Sequence, residues 1–217
     1  MGTYSTPSYT AKDVADYVKR AFGDEAGVQV VDSDVIRWIN AAQEEIVSAN
    51  DVLKGTAQTA MTAGTYDYPL QSLDIKSLHS VIINGAKIQY YSFEDAEQKI
   101  FSEDPQRVQT GKPWLWYEWG GTINLYPTPD ANGTITLYFT KNPTKVVDLT
   151  STLGLPDNYF NRIVEYVLAQ AYELDENFSA HANKIQQFDN KLMGMLNDEG
   201  AAPISTYPVM TVRPEDE

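Results

Sequence analysis

Apolar positions fall into two textures. Val14, Tyr17, Val18, Ala21 and Phe22 recur at helical spacing, and Thr10 with Asp13 forms a capping box ahead of them. Gly23 ends this first helix. Ser33 or Asp32 is expected to cap a second helix that carries the stripe Val35, Ile39, Ala42 and Ile46, with Ile36, Val47 and Leu53 beside it and Trp38 off it. Lys54-Gly55 reads as its stop, a cation on the negative helix end followed by a residue free to turn left-handed. After Asp157 the helical period returns in Tyr159, Ile163, Tyr166, Val167, Ala171 and Leu174, with the stripe from Ile163 to Leu174 expected to face that of the second helix. A last helix, capped by Ser179, carries Ile185, Phe188, Leu192 and Met195 and ends at Gly200.

Between these pairs, residues 56–147 are rich in Thr, Tyr, Trp, Ile and Val and punctuated by Gly and Pro, which predicts strands. The first runs over 56–62, and a turn at Ala63-Gly64-Thr65 leads to Tyr66-Asp67-Tyr68-Pro69. Residues 77–83 and 86–91 flank Asn84-Gly85, a strong hairpin signal because both residues tolerate positive φ. Ser92 and Asp95 open a short helix to about Phe101, and 103–113 is a polar loop. A second hairpin joins 114–119 to 122–126 through Gly120-Gly121, and 134–140 alternates as a further strand.

These elements predict an α+β protein. A four-helix bundle-like domain is formed by 1–55 and 151–200, because single-faced helix pairs must bury their stripes against each other. An antiparallel β-rich domain, 56–150, is inserted between the two halves, and 201–217 forms an extended C-terminal arm.

Composition narrows the chemistry. The 217 residues contain no cysteine, which removes disulfides, thiolate metal sites and cysteine nucleophiles, and only two histidines, His79 and His181. Sixteen basic against thirty acidic side chains give a net charge of −14, unsuited to gripping phosphates or anionic membranes. No run approaches the ~18 apolar residues of a membrane span. Met1 to Ser5 lacks the pattern of a signal peptide, and the partial myristoylation match at Met1-Gly2 with Thr6 rests on common residues.

Candidate chemistry is sparse. Glu173, Asp175 and Glu176 cluster at a helix end and offer a cation site or an acid/base pair, or simply a solvated terminus. Glu44 and Glu45 are neighbours in sequence and read as surface. No nucleophile elbow, phosphate loop or dinucleotide fingerprint occurs, and neither histidine has an evident nucleophile partner. We therefore expect no catalytic, cofactor-binding or metal-binding residues and no cofactor.

Two features stand out. The run Trp114-Leu115-Trp116-Tyr117-Glu118-Trp119 gives a strand with aromatic side chains on both faces. Trp114, Trp116 and Trp119 can serve core packing, a subunit contact or sugar stacking. Beyond the last helix, Ile204, Tyr207, Val209, Met210 and Val212 form an apolar, β-prone stretch broken by prolines. A disordered tail normally lacks so much apolar surface. It either folds back on its own domain or docks on a partner as an arm.

Four stretches resemble the head-to-tail adaptor (connector) proteins of tailed bacteriophages, the short-tailed type in particular. They are Asp34 to Ile46 (DVIRWINAAQEEI), Ala63 to Leu70 (AGTYDYPL), Ile123 to Pro129 (INLYPTP) with Gly133 to Tyr138 after it, and Leu155 to Tyr159 leading into Ala169 to Asp175. The resemblance spans most of residues 10–196 and omits the tail beyond Gly200. It implies a structural virion protein and not an enzyme, one that forms a ring, commonly twelvefold, between the portal and a tail nozzle or tube protein. The genome would pass through that ring without specific binding. It further implies a place at the head-tail junction after synthesis in the host cytoplasm, with no membrane partner. Strong acidity suits a DNA conduit, and equally suits solubility. Two other classes stay open: a carbohydrate-binding β module using the tryptophan strand, and an acid/base hydrolase using Glu173, Asp175 and Glu176.

Overall fold

A computed structural model describes residues 7–49, 51–70 and 73–200, with backbone only for 194–200. The chain divides into two compact units, Met1–Asn50 with Lys145–Glu217 and Asp51–Thr144. The five helices among the described residues are α1 (Ala11–Phe22), α2 (Asp32–Ala49), α3 (Phe93–Glu103), α4 (Phe160–Leu174) and α5 (Phe178–Gly200). All but α3 belong to the first, helical unit.

In the helical unit α4 packs against each of α1, α2 and α5. Its Ile163, Val167 and Ala171 are fully buried, as are Val35, Ile39, Ala42 and Ile46 of α2. Leu174, expected in the same stripe, is the last residue of α4 and half exposed. Trp38, placed off the α2 stripe, is nonetheless buried, so the covered face of α2 is wider than one row. The capping box at α1 forms: the Asp13 carboxylate accepts from Thr10 N–H at 2.7 Å, and Gly23 closes the helix at φ 89°. At α5 the cap is Asn177, not Ser179: its Oδ1 accepts from Ala180 N–H at 3.2 Å.

Asp32 and Ser33 do not cap α2 but lie in its first turn, and Lys54-Gly55 does not stop it, since it ends at Ala49. Lys54 and Gly55 open β1, and the glycine serves a close approach. A Cβ on Gly55 would lie 2.8 Å from the Phe139 ring.

The second unit is built from β1 (Lys54–Met61), β2 (Asp67–Pro69), β3 (Ile75–Ile83), β4 (Ala86–Lys87), β5 (Gln89–Tyr90), β6 (Thr110–Gly111), β7 (Leu115–Trp119), β8 (Thr122–Tyr126), β9 (Thr128–Pro129) and β10 (Gly133–Lys141). One sheet has the order β1-β10-β3-β4 and is antiparallel throughout; a second has the order β2-β8-β7-β5. Both hairpin turns use paired positive φ angles, at Asn84 and Gly85 and at Gly120 and Gly121, as the right-handed strand twist favours. The strand expected over 86–91 divides. Ala86 and Lys87 pair with β3, Ile88 enters the core, and Gln89 and Tyr90 pair with β7 in parallel. A further parallel pair joins β6 to β9, so the unit is not purely antiparallel.

Val81, Ile83, Ile135, Leu137 and Phe139 of the first sheet meet Tyr68, Trp116, Ile123 and Leu125 of the second in one core. On the other face of the second sheet, Ala96 and Ile100 of α3 cover Leu115, Tyr117 and Tyr126. The two faces of β7 therefore enter two separate cores. Each such aliphatic or aromatic side chain contributes roughly 1.5–3 kcal/mol on burial.

Candidate functional site

The residues that offered acid/base or metal chemistry do not converge on a site. Glu173, Asp175 and Glu176 are all exposed at the end of α4, and among the described residues no group of His, Asp and Glu could hold a metal ion. Glu44 and Glu45 are exposed on α2. His181 has its Nδ1 3.0 Å from the Ala169 carbonyl. His79 is the closest approach to a relay: its Nε2 lies 2.7 Å from Thr140 Oγ1, which donates to Asp51 Oδ1 at 3.1 Å. Thr140 is fully buried, so its oxygen meets no substrate. The carboxylate also engages the hydroxyl and not the far nitrogen of the imidazole, which is the reverse of a nucleophilic triad.

What the structure does bring together are the four family-like stretches, in pairs. In the second unit β2 runs antiparallel to β8, with Tyr68 opposite Ile123. Leu125 N–H donates to the Tyr66 carbonyl at 2.8 Å, and Gly64 N–H to the Pro129 carbonyl at 2.8 Å. Tyr68 locks the intervening turn, its hydroxyl donating to the Thr65 carbonyl at 2.9 Å and accepting from Thr62 N–H at 3.1 Å. Burial pushes the Tyr68 phenol above its ordinary range, because the ionised form would lose its hydration. Asn132 completes the join, its Oδ1 accepting from Ala63 N–H at 2.9 Å.

In the helical unit, α2 reads the connecting segment before α4. The Asn40 side chain donates to the Val146 carbonyl at 2.8 Å and accepts from Val146 N–H at 2.9 Å, as a neighbouring strand would. Buried Gln43 accepts from Gly154 N–H at 2.5 Å. Asp157 accepts from both the hydroxyl and the N–H of Ser8, at 2.6 and 2.7 Å, which lowers its pKa. Neither Asn40 nor Gln43 is among the residues expected from the sequence. Their signal was available: two amides, three apart, each adjoining a buried stripe residue.

The expected polar loop at 103–113 is also fixed. The Asp104 carboxylate accepts from Gln109 N–H at 2.7 Å, and Tyr126 donates to Gln109 Oε1 at 2.6 Å. Arg107 lies over the Tyr66 ring at 4.1 Å and donates to the Tyr117 hydroxyl at 2.6 Å.

The three tryptophans separate. Trp116 is buried at 2% exposure between the two sheets, which removes it from an accessible contact surface; the strand's alternation turns it inward. Trp114 and Trp119 are exposed at 38% and 60%. Trp119 stacks on Phe93 with ring centroids 4.0 Å apart, and Trp114 meets Tyr91 and Tyr126 edge-on. The arm residues Ile204, Tyr207, Val209, Met210 and Val212 lie outside the described residues. No described helix is long and apolar enough to cross a membrane.

Comparison with curated proteins gave no match. A family model does match, that of the SU10 adaptor protein, over residues 9–210, and so takes in much of the tail that the sequence resemblance had omitted. With the four recognisable stretches paired in space and nearly the whole length matched, the chain belongs to the SU10 adaptor protein family of phage head-to-tail adaptors.

Proposed function

We propose that this chain is a structural part of the virion, not an enzyme, that forms a ring of about twelve copies between the portal and a tail nozzle or tube protein. The family match over residues 9–210 carries this reading. In it, the helical unit packs as a four-helix bundle-like domain around the ring, with the β-rich domain inserted into it. Acidic surface lines the channel, so that DNA passes without being held. Trp114 and Trp119, exposed in the second unit, supply subunit contact. The segment from 201 is an intermolecular docking arm, with Ile204, Tyr207, Val209, Met210 and Val212 as its anchors and Pro203, Pro208 and Pro214 limiting the entropy lost on binding. The protein needs no metal or organic cofactor.

The sugar-binding alternative gains little: one ring face of Trp119 is taken by Phe93. The adaptor reading is tested by native mass spectrometry of the protein mixed with its portal. A ring of this chain on the portal is the expected outcome, and a chain that stays monomeric with portal present overturns it. A variant ending at Gly200 should fold with unchanged circular dichroism and bind portal rings far more weakly. Normal assembly of that variant would dispose of the arm.

A further inference from the structure

The edges of the two sheets are unequal. Three end strands are short: β4 and β5 have two residues each, and β2 has three including Pro69. β1 is different, with eight residues, Lys54–Met61, one charge and no proline. Natural edges of this length are usually blunted by charge, proline or a cover, because their free N–H and C=O groups invite another strand. The free groups can be identified. Lys141 N–H donates to the Leu53 carbonyl, so by alternation Gly55, Ala57, Thr59 and Met61 bond toward β10. Lys54, Thr56, Gln58 and Ala60 therefore turn their backbone groups outward. Beside this edge a cleft of about 150 Å³ opens between the sheets, lined by Ala57, Thr59, Tyr68, Leu70, Leu73 and Ile123 among others.

We infer that β1 receives the arm of a second copy of this chain, residues 204–212, as an added antiparallel strand. This rests on the docking-arm reading above and names its receiver. Pro208 sets the register. It has no N–H, so it must sit where the added strand's N–H points away from β1. Ser205, Tyr207, Val209 and Thr211 then bond to Ala60, Gln58, Thr56 and Lys54. In a sheet, backbone direction and side-chain face alternate together. The residues in phase with Pro208 thus share the face of Ala57 and Thr59, which is the face of the cleft. Those residues are Ile204, Thr206, Met210 and Val212, three of them apolar. The proline constraint and the apolar face thus agree on one pairing parity, and the opposite parity would place a missing donor against the edge. A second copy is the fitting donor because a ring gives every subunit one arm and one edge, and such head-to-tail contacts close only in a ring.

The full-length chain carrying Thr206→Cys, the only cysteine present, is labelled with a benzophenone maleimide. It is mixed with ¹⁵N-labelled wild-type chain and portal, irradiated and mapped by mass spectrometry. Adducts on residues 53–61 of the ¹⁵N chain are expected. With the ¹⁵N chain in excess, β1 adducts confined to the labelled chain's own isotope overturn the second-copy assignment. Adducts on the portal alone overturn the receiver but leave the docking arm standing, and no adducts anywhere overturn both. Register is read separately by mixing two single-cysteine chains under mild oxidation. Thr59→Cys with Thr206→Cys should give several times the disulfide of Gln58→Cys with Thr206→Cys. Residues 59 and 206 would face each other at about 4.5 Å between Cα atoms, inside the disulfide range of about 4.4–6.8 Å. Equal yields would refute the register.

Discussion

The two units fasten their turns and termini with different chemistry. The helical unit holds nine basic and twenty acidic residues, a net of −11; the second unit holds seven and ten, a net of −3. The helical unit puts part of that charge to structural use. Asp24 accepts from the N–H groups of Val30, Gln29 and Val28; Asp148 from the hydroxyls and N–H groups of Thr150 and Ser151; Asp157 from Ser8; and Asp13 from Thr10. Each carboxyl is held below its ordinary range by these bonds to its charged form. The second unit uses neutral groups at several comparable places, the Tyr68 and Tyr126 hydroxyls and the Asn84 and Asn132 amides, beside the Asp104 carboxylate that accepts from Gln109 N–H. An acidic chain thus contains one part with four such carboxylate joints and another in which neutral hydroxyls and amides share that work with carboxylates.

The largest expected effects come from the cores and test whether the units respond separately. Ile39→Ala should lower the stability of the helical unit by about 2–4 kcal/mol, as large-to-small core substitutions do. Ile123→Ala should do the same to the second unit. The probes divide conveniently, since Trp114, Trp116 and Trp119 lie in the second unit and only Trp38 in the helical one. Ile39→Ala should shift the denaturation midpoint seen by far-ultraviolet circular dichroism more than that seen by tryptophan fluorescence, and Ile123→Ala the reverse. Identical shifts in both signals would mean that the two units unfold as one.

Next come the polar joints. Asn40→Ala and Tyr68→Phe should each cost about 1–3 kcal/mol, because each leaves a backbone group without its partner. Urea titrations of both variants, followed by the same two signals, check this. A Tyr68→Phe chain as stable as the wild type would show the turn at 62–65 to be held by backbone bonds alone.

Smaller, but more diagnostic, is the response to pH. A carboxyl whose folded pKa is depressed contributes stability above its unfolded value, near 3.8, and loses it as pH falls through the folded value. A buried phenol whose folded pKa is raised behaves oppositely: the unfolded chain ionises first, so stability falls as pH rises beyond about 10. Acid below about pH 3.8 should therefore loosen the helical signal first. Alkali should act on Tyr68 and Tyr126 of the second unit and also on Tyr166 of α4, likewise raised by burial. Loss of the tryptophan signal before the helical one in acid would reverse the contrast. The smallest expected effect is none: isolated protein should not bind duplex DNA at about 150 mM salt. Tight binding that weakens steeply with salt would reveal a basic stripe that the charge count conceals.

Much of this was legible in the sequence where a local rule acts alone. Thr10 with Asp13, Asn84-Gly85 and Gly120-Gly121 declare themselves because a cap or a tight turn is decided within four residues. Gly55 misled because a glycine after a lysine carries the same signal whether it ends a helix or lies against Phe139, 84 positions away. The division of 86–91 was hidden for the same reason: nothing in Ala86 to Tyr90 shows that β7 will be its partner. The site's pairings, Asn40 to Val146 and Ala63 to Asn132, likewise join residues whose proximity only the complete fold decides.

The division at Ile88 also has a mechanical meaning. Residues 86–90 belong to one sheet for two residues, to the shared core for one, and to the other sheet for two. The strand passes from one layer to the next as a continuous covalent thread. Sliding the sheets over each other therefore cannot proceed by rearranging side chains alone. It must also break the Gln89 N–H to Trp114 and Tyr91 N–H to Trp116 bonds, or the Ile88 N–H to Val81 bond and the pairing of Ile83 with Ala86. A load applied to either layer is carried into the other by the backbone itself.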